Sequence, residues 1–182
     1  MGYLRLVRLP EAQLETEHAC VAAFDKELDY VFETLRRLGA DPSEIEDLAH
    51  DVFIVLHRKW PTLDLERPLR PYLFGIAYRV VFAHRRRRAR EVVASPRELE
   101  SSDANAEQVL QGRQSLALLS MALERVPLVR RAVLIMHEVD EMPVVEIAKT
   151  LSLTRFGVYA RLRKAQAELL AAVKHLQYGV RK

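Results

Sequence analysis

PLRPYLFGIAYRVVFAHRRRR, residues 68–88, begins as a helix of apolar and aromatic residues and runs without a break into Arg85, Arg86, Arg87 and Arg88. Like charges on successive helical turns repel one another unless an anion lies nearby. A second basic helix follows further along. Residues 144–166, VVEIAKTLSLTRFGVYARLRKAQ, read as two short helices around a tight turn, and the second carries Arg155, Arg161, Arg163 and Lys164. Ile147, Leu151, Val158 and Leu162 supply the packing faces of a helix-turn-helix, Ala148 permits close approach, and Leu153 plugs the turn. That leaves Arg155, Phe156, Tyr159, Ala160 and Arg163 facing outward. Arginine can fork onto a guanine edge or a phosphate, and aromatic rings can pack on thymine methyls.

Charge is sorted along the chain. Arg67 to Arg90 holds eight arginines and no acid, Asp41 to Asp51 holds five acids and no lysine or arginine, and Ser152 to Lys182 holds seven basic residues and one acid. The net charge of +3 is modest, but its segregation makes one face a phosphate attractor and frees another for a different contact. Cys20 is the single cysteine, which rules out an internal disulfide framework and suits a reducing compartment. The opening MGYLRLVRLPEAQ has too short an apolar run for a secretory leader, and Leu6 does not suit a myristoylation site. No stretch approaches the roughly eighteen apolar residues of a membrane span. A cytoplasmic protein is expected.

Nearly every ordered segment has helical period, so an all-α fold is predicted. A first helix over 14–38 ends at Gly39, and Asp41 or Ser43 caps a second, 43–59, stopped by Trp60-Pro61. The long helix spans 69–90. Pro96, Ser95, Ser101, Ser102, Asp103 and Asn105 mark a linker at 91–106. Helices near 107–125, 128–138, 144–151 and 155–176 follow, with Thr154 capping the last. The organisation is two small helical domains, 14–90 and 107–176, the first of three helices and the second of four.

On helix 43–59, Ile45, Leu48, Ala49, Val52, Val55 and Leu56 form a core stripe, opposite Asp47, His50, Asp51, Ile54 and Arg58. An apolar Ile54 among charges hints at a docking face. His50 and His57 lie near acids, but no HExxH-like or Cys/His spacing supports a metal site. On helix 69–90 the buried stripe is Leu69, Leu73, Ile76 and Val80. An arginine block beside aromatic residues and the Trp60 loop suits single-stranded or distorted DNA, with phosphates held by charge and unstacked bases resting on rings. No nucleophile–base pair, phosphate-cradling glycine loop or cofactor signature is present, so no catalytic residue and no cofactor is expected.

Together these segments resemble an extracytoplasmic-function sigma factor, a small member of the sigma-70 family of bacterial RNA polymerase initiation factors. DLAHDVFIVLHRKW (47–60) is similar to the helix that binds core polymerase. LRPYLFGIAYRVVFAHRRRR (69–88) is similar to the helix that recognises and opens the minus-ten element, and residues 126–169 to the domain that reads the minus-thirty-five element. The resemblance implies that Asp47, His50, Asp51 and Ile54 meet the polymerase. It implies that Trp60, Arg67, Arg70, Tyr78, Arg79 and Arg85 to Arg88 meet minus-ten DNA, both duplex and melted non-template strand. Arg155, Phe156, Tyr159, Arg163 and Lys164 are implied in the upstream major groove. It also implies an anti-sigma partner and no membrane insertion. The sequence departs from the family's usual Gln at His50, Trp at Tyr72, Asn at Arg79 and Gly at Ser152. A helix-turn-helix regulator acting without core polymerase is the alternative; it needs a dimer face and gives residues 47–58 no role.

Overall fold

The computed structural model describes residues 11–94 and 111–179, with side-chain surroundings for 16–90 and 115–177. The described residues form helices α1 (Glu11–Lys26), α2 (Leu28–Leu38), α3 (Ile45–Lys59), α4 (Leu69–Ala94), α5 (Gln111–Glu124), α6 (Leu128–Glu138), α7 (Val144–Thr150) and α8 (Arg155–Gly179), and no strand. Single 3-10 turns occupy Pro42–Glu44 and Trp60–Thr62.

Local chemistry explains most helix ends. The Asp41 carboxylate accepts from the Ser43 N–H at 3.0 Å and the Ser43 hydroxyl at 2.7 Å, which starts the turn into α3 and lowers the Asp41 pKa. Gly39 closes α2 in the left-handed conformation, φ +82°. The Thr154 hydroxyl accepts the Gly157 N–H at 3.0 Å, capping α8 as its sequence suggests.

Four expectations are corrected. The single helix 14–38 is two, broken at Glu27, so that Phe24 of α1 packs on Phe53 of α3 at 5.2 Å between ring centroids while α2 turns toward α6. The first half therefore has four helices. Residues 91–94 are helical, as α4 runs to Ala94; the rest of the expected linker, and residues 107–110, lie outside the described residues. Val55, expected in the core, is 37% exposed at the edge of the α3 stripe, whereas Ile54 is half-buried.

The fourth concerns α4. Its buried face is Leu73, Phe74, Ile76, Ala77 and Val81, with Leu69 and Val80 only partly covered. That face is wider than an amphipathic stripe because α4 is covered twice, by α2 and α3 on one side and by α7 on the other. Gly75 makes the second contact possible: a Cβ there would stand 3.0 Å from the Thr150 Cγ2 of α7. The two halves consequently share one continuous apolar cluster, from Cys20 and Phe24 through Val31, Leu35 and Leu73 to Val133, Ile147 and Val158. A smaller cluster, Ala122, Ala172 and Leu176, joins α5 to α8.

Candidate nucleic-acid interface

The loop between α3 and α4 forms a cleft of about 960 Å³. Leu63, Leu65, Pro68, Leu69, Pro71 and Tyr72 line one side, and Glu146, Lys149 and Thr150 of α7 wall the other. Trp60 sits at its base and is buried, so the ring is seated in the core and presents only part of its surface to the cleft. Arg67 stands at the rim, paired with Asp64 at 2.9 Å. Arg70 pairs with Glu27 at 2.8 Å and lies over the Tyr30 ring, 5.1 Å from its centroid; the Glu27 contact raises its already high pKa.

Along α4 the arginine block divides. Arg85 turns inward and donates to the carbonyls of Leu38 and Gly39 at 3.0 and 2.7 Å; burial lowers its pKa. These are C-terminal carbonyls of α2, which have no intrahelical partner. Arg88 reaches Glu44 at 3.3 Å, beside His84 at 3.5 Å from the same carboxylate. Arg86 and Arg87 are exposed, and neither guanidinium is ion-paired among the described residues. Arg79 is exposed beside Gly75 and Tyr72. Tyr78 is half-buried, with its ring 6.1 Å from Phe82, which is 45% exposed; burial raises the Tyr78 pKa and the nearby Arg161 of α8 opposes that rise.

On α3, Asp47, His50, Asp51 and Arg58 share one exposed face with half-buried Ile54. His57, two turns beyond His50, is half-buried, its ring 5.7 Å from that of Phe53. On α8 the outward face is open. Arg155, Arg163 and Lys164 are exposed, Phe156 is 83% and Tyr159 60% exposed, and Arg161 folds back to donate to the Gly157 carbonyl at 3.1 Å. In the turn before α8, Ser152 takes φ +54°, a left-handed conformation suited to glycine. The α8 face thus offers aromatic and basic side chains ready to enter a groove. The loop between α3 and α4 offers an apolar cleft, and the far part of α4 offers Arg86 and Arg87, which form no ion pair among the described residues.

Residues 23–91 match the family model for sigma-70 region 2, and residues 116–169 match that for sigma-70 region 4. The chain belongs to the sigma-70 family. It is a sigma factor with the region 2 and region 4 layout of the extracytoplasmic-function group. RNA polymerase sigma factor NccH of Alcaligenes xylosoxydans xylosoxydans is 26% identical over 148 residues, 78% of this chain and 80% of that protein. The fold is shared with sigma factor RpoE from Bartonella quintana, solved in complex with the anti-sigma factor NepR. That match has a TM-score of 0.67 and 23% identity, and covers 84% of this chain and 97% of that one. It is also shared with CnrH, solved in complex with the cytosolic domain of CnrY. Here the TM-score is 0.60 and the identity 20%, over 86% and 88% of the two chains.

Region 4 of this sigma factor rests directly on region 2, through residues that sequence reasoning passed over. Arg131 of α6 is 1% exposed and forms no ion pair within 4 Å among the described residues. It donates to Val126 and Glu124 carbonyls within region 4 and, at 2.9 Å, to the Leu38 carbonyl of region 2, the oxygen Arg85 also holds. Burial, then repulsion from Arg85, pushes its pKa down to about 10. Beside α2, the Tyr30 hydroxyl donates to Asp140 Oδ2 at 2.8 Å across the same seam. A signal for Arg131 existed: it falls one turn from Leu128 and Ile135 inside LVRRAVLIM, on an otherwise apolar face.

Proposed function

We propose that this sigma factor supplies core RNA polymerase with sequence-specific promoter contacts and with the means to hold melted DNA, and that it performs no covalent chemistry itself. The observation that carries the reading is the pairing of an exposed region 4 helix, with Arg155, Phe156, Tyr159, Arg163 and Lys164 on one face, with a region 2 cleft lined by Leu63, Leu65 and Tyr72 and, farther along α4, exposed Arg86 and Arg87 that form no ion pair among the described residues. In this reading region 2 spans 14–90 and region 4 spans 107–176. The α8 face enters the major groove at the minus-thirty-five element. The cleft lined by Leu63, Leu65 and Tyr72 takes an unstacked minus-ten base, with Arg67, Arg70, Tyr78 and Arg79 around it and the outer arginines on the backbone. Unstacking costs a few kcal/mol, and each stack on a side chain returns about 1–3. Arg85 supports α2 and α4 from within; the phosphate contacts belong to Arg86 and Arg87.

Asp47, His50, Asp51 and Ile54 on α3 are the face for core polymerase. A polypeptide anti-sigma factor is a second partner, by analogy with the inhibited complexes of RpoE with NepR and of CnrH with CnrY. No helix among the described residues is long and apolar enough to cross a membrane, which suits action in the cytoplasm. Run-off transcription with purified core polymerase on a genomic fragment library tests the reading. Discrete transcripts are expected that require this chain and vanish when Asp47 and Asp51 are both changed to arginine. A chain that binds palindromic duplex as a dimer and never associates with core polymerase would replace the reading with that of a stand-alone regulator.

A further inference from the structure

We propose that Phe82 is a second base-stacking platform on α4, separate from the cleft, which holds an unstacked base of single-stranded DNA. The proposal rests on the function given above and extends its path for the melted strand.

Phe82 is 45% exposed, and a single exposed apolar side chain is ordinary on a protein surface. Its surroundings set this one apart. Arg79 precedes it by three residues and Arg86 follows by four, so both guanidinium groups share its helix face, and both are exposed. Ala83, also exposed, is too short to cover the ring. No acid occurs between Arg67 and Arg90, so nothing in that stretch neutralises the face. The Tyr78 ring lies 6.1 Å from that of Phe82 between centroids, tilted by 35°, so the exposed ring leans on a half-buried one.

The same face continues toward the cleft. Tyr72, which lines the cleft, is two turns before Arg79, whose guanidinium opposes the burial-driven rise in the Tyr72 pKa. Ring, cation, ring and cation therefore alternate along one side of α4 as Tyr72, Arg79, Phe82 and Arg86. A single strand needs this pairing, with charge for its backbone and rings for its bases. Ten residues of helix, about 15 Å, separate Tyr72 from Phe82, so one base cannot use both rings. An apolar peptide fits the face less well, because its side chains would bury two guanidinium groups without partners. Duplex also fits less well. The major groove is about 8.5 Å deep, and α4, flanked by α2, α3 and α7, cannot follow it inward to bring the ring to a base edge.

Binding of a short oligo-dT carrying a single 2-aminopurine tests this, with the full chain assembled on core polymerase and core polymerase alone as the blank. Phe82→Leu, which keeps apolar bulk but removes the ring, is expected to weaken the sigma-dependent binding at least about fivefold and to lose the quenching of 2-aminopurine. Phe82→Tyr is expected to keep both. The log–log salt slope is expected to stay unchanged in Phe82→Leu and to flatten by about 0.7 in Arg86→Ala, since only the latter removes a phosphate contact. The Phe82→Leu loss is expected to add to that of Leu65→Ala at the cleft. Equal binding by Phe82→Leu and wild type, or a loss in Phe82→Tyr as large as in Phe82→Leu, would overturn the proposal. So would weakened assembly of Phe82→Leu with core polymerase, which would make the ring a protein contact, and so would a non-additive pair, which would merge Phe82 with the cleft. If the wild type adds no oligo-dT binding to that of core polymerase, the minus-ten reading fails and takes Phe82 with it.

Discussion

Among the described residues Gly39, Glu141 and Ser152 adopt the left-handed conformation, and the first and the last set opposite expectations for the same kind of substitution. Ser152, at φ +54° in the helix-turn-helix, is exposed, and its backbone N–H reaches the Lys149 carbonyl at 3.3 Å whatever side chain it carries. Ser152→Gly is therefore expected to stabilise by roughly 0.5–1 kcal/mol, the left-handed penalty less the extra backbone entropy that glycine loses. That corresponds to a rise in melting temperature of about 1–4 °C. Gly39, at φ +82°, is the reverse case, because a Cβ there would collide with the guanidinium groups of both Arg131 and Arg85. Gly39→Ala is expected to cost more than about 2 kcal/mol, combining backbone strain with displaced hydrogen bonds to the end of α2. Urea midpoints of the two variants should move in opposite directions. A loss on Ser152→Gly would mean that the hydroxyl, rather than the backbone, holds that turn.

At the scale of helices, the four arginines that close α4 act as two pairs. Arg86 and Arg87 point to solvent, while Arg85 is spent on α2 carbonyls and Arg88 on Glu44. Replacing both Arg86 and Arg87 by alanine is expected to flatten the log–log salt dependence of promoter binding, measured with core polymerase present, by about 1.4–1.8. Arg85→Ala is expected to leave that slope unchanged and to lower the urea midpoint. Equal effects on the slope would restore the reading of the block as one phosphate clamp. This division was hidden in the sequence, where RRRR is uniform and only the position of the α2 terminus distinguishes its members. Other elements were legible because the signals that define them are short-range. The spacing of Ile147, Ala148, Val158 and Leu162 located α7 and α8, Asp41 and Thr154 marked the turn into α3 and the start of α8, and Gly39 marked the end of α2. The faces of α4 were not legible in the same way. Its period was read as one stripe through Leu69, Leu73, Ile76 and Val80, whereas Phe74, Gly75, Ala77 and Val81 are buried as well, and α7, far along the chain, meets the helix at Gly75. Periodicity reports how many faces are apolar, but it does not say which distant helix covers them. The break at Glu27 escaped for a similar reason, since its carboxylate answers to Arg70 across 43 residues of chain.

For the whole molecule, the contact between the two regions acquires a pH dependence whose sign follows from one group. Asp140 faces Tyr30, Arg37 and Arg70; burial raises its pKa above the ordinary 3.8, and the Tyr30 hydrogen bond and the two arginines only partly oppose this. Tyr30 itself is held well above its usual range by burial and by Asp140, so it remains a donor throughout. When the halves part, Asp140 returns to solvent and to its ordinary value. The packed seam therefore binds the proton more tightly, and its advantage grows as pH falls from the raised value toward 3.8 and fades as pH rises through that window. Asp41, whose pKa is lowered by Ser43, bears on the folding of the first half rather than on the seam, and its contribution is lost on acidification below 3.8. Mild acidification is thus expected to shrink the radius measured by small-angle scattering. Asp140→Asn should remove the pH dependence of the radius while keeping an acceptor for Tyr30. If wild type and Asp140→Asn follow the same radius-against-pH curve, the seam is held by apolar contact and by Arg131, with Asp140 no more than a neighbour.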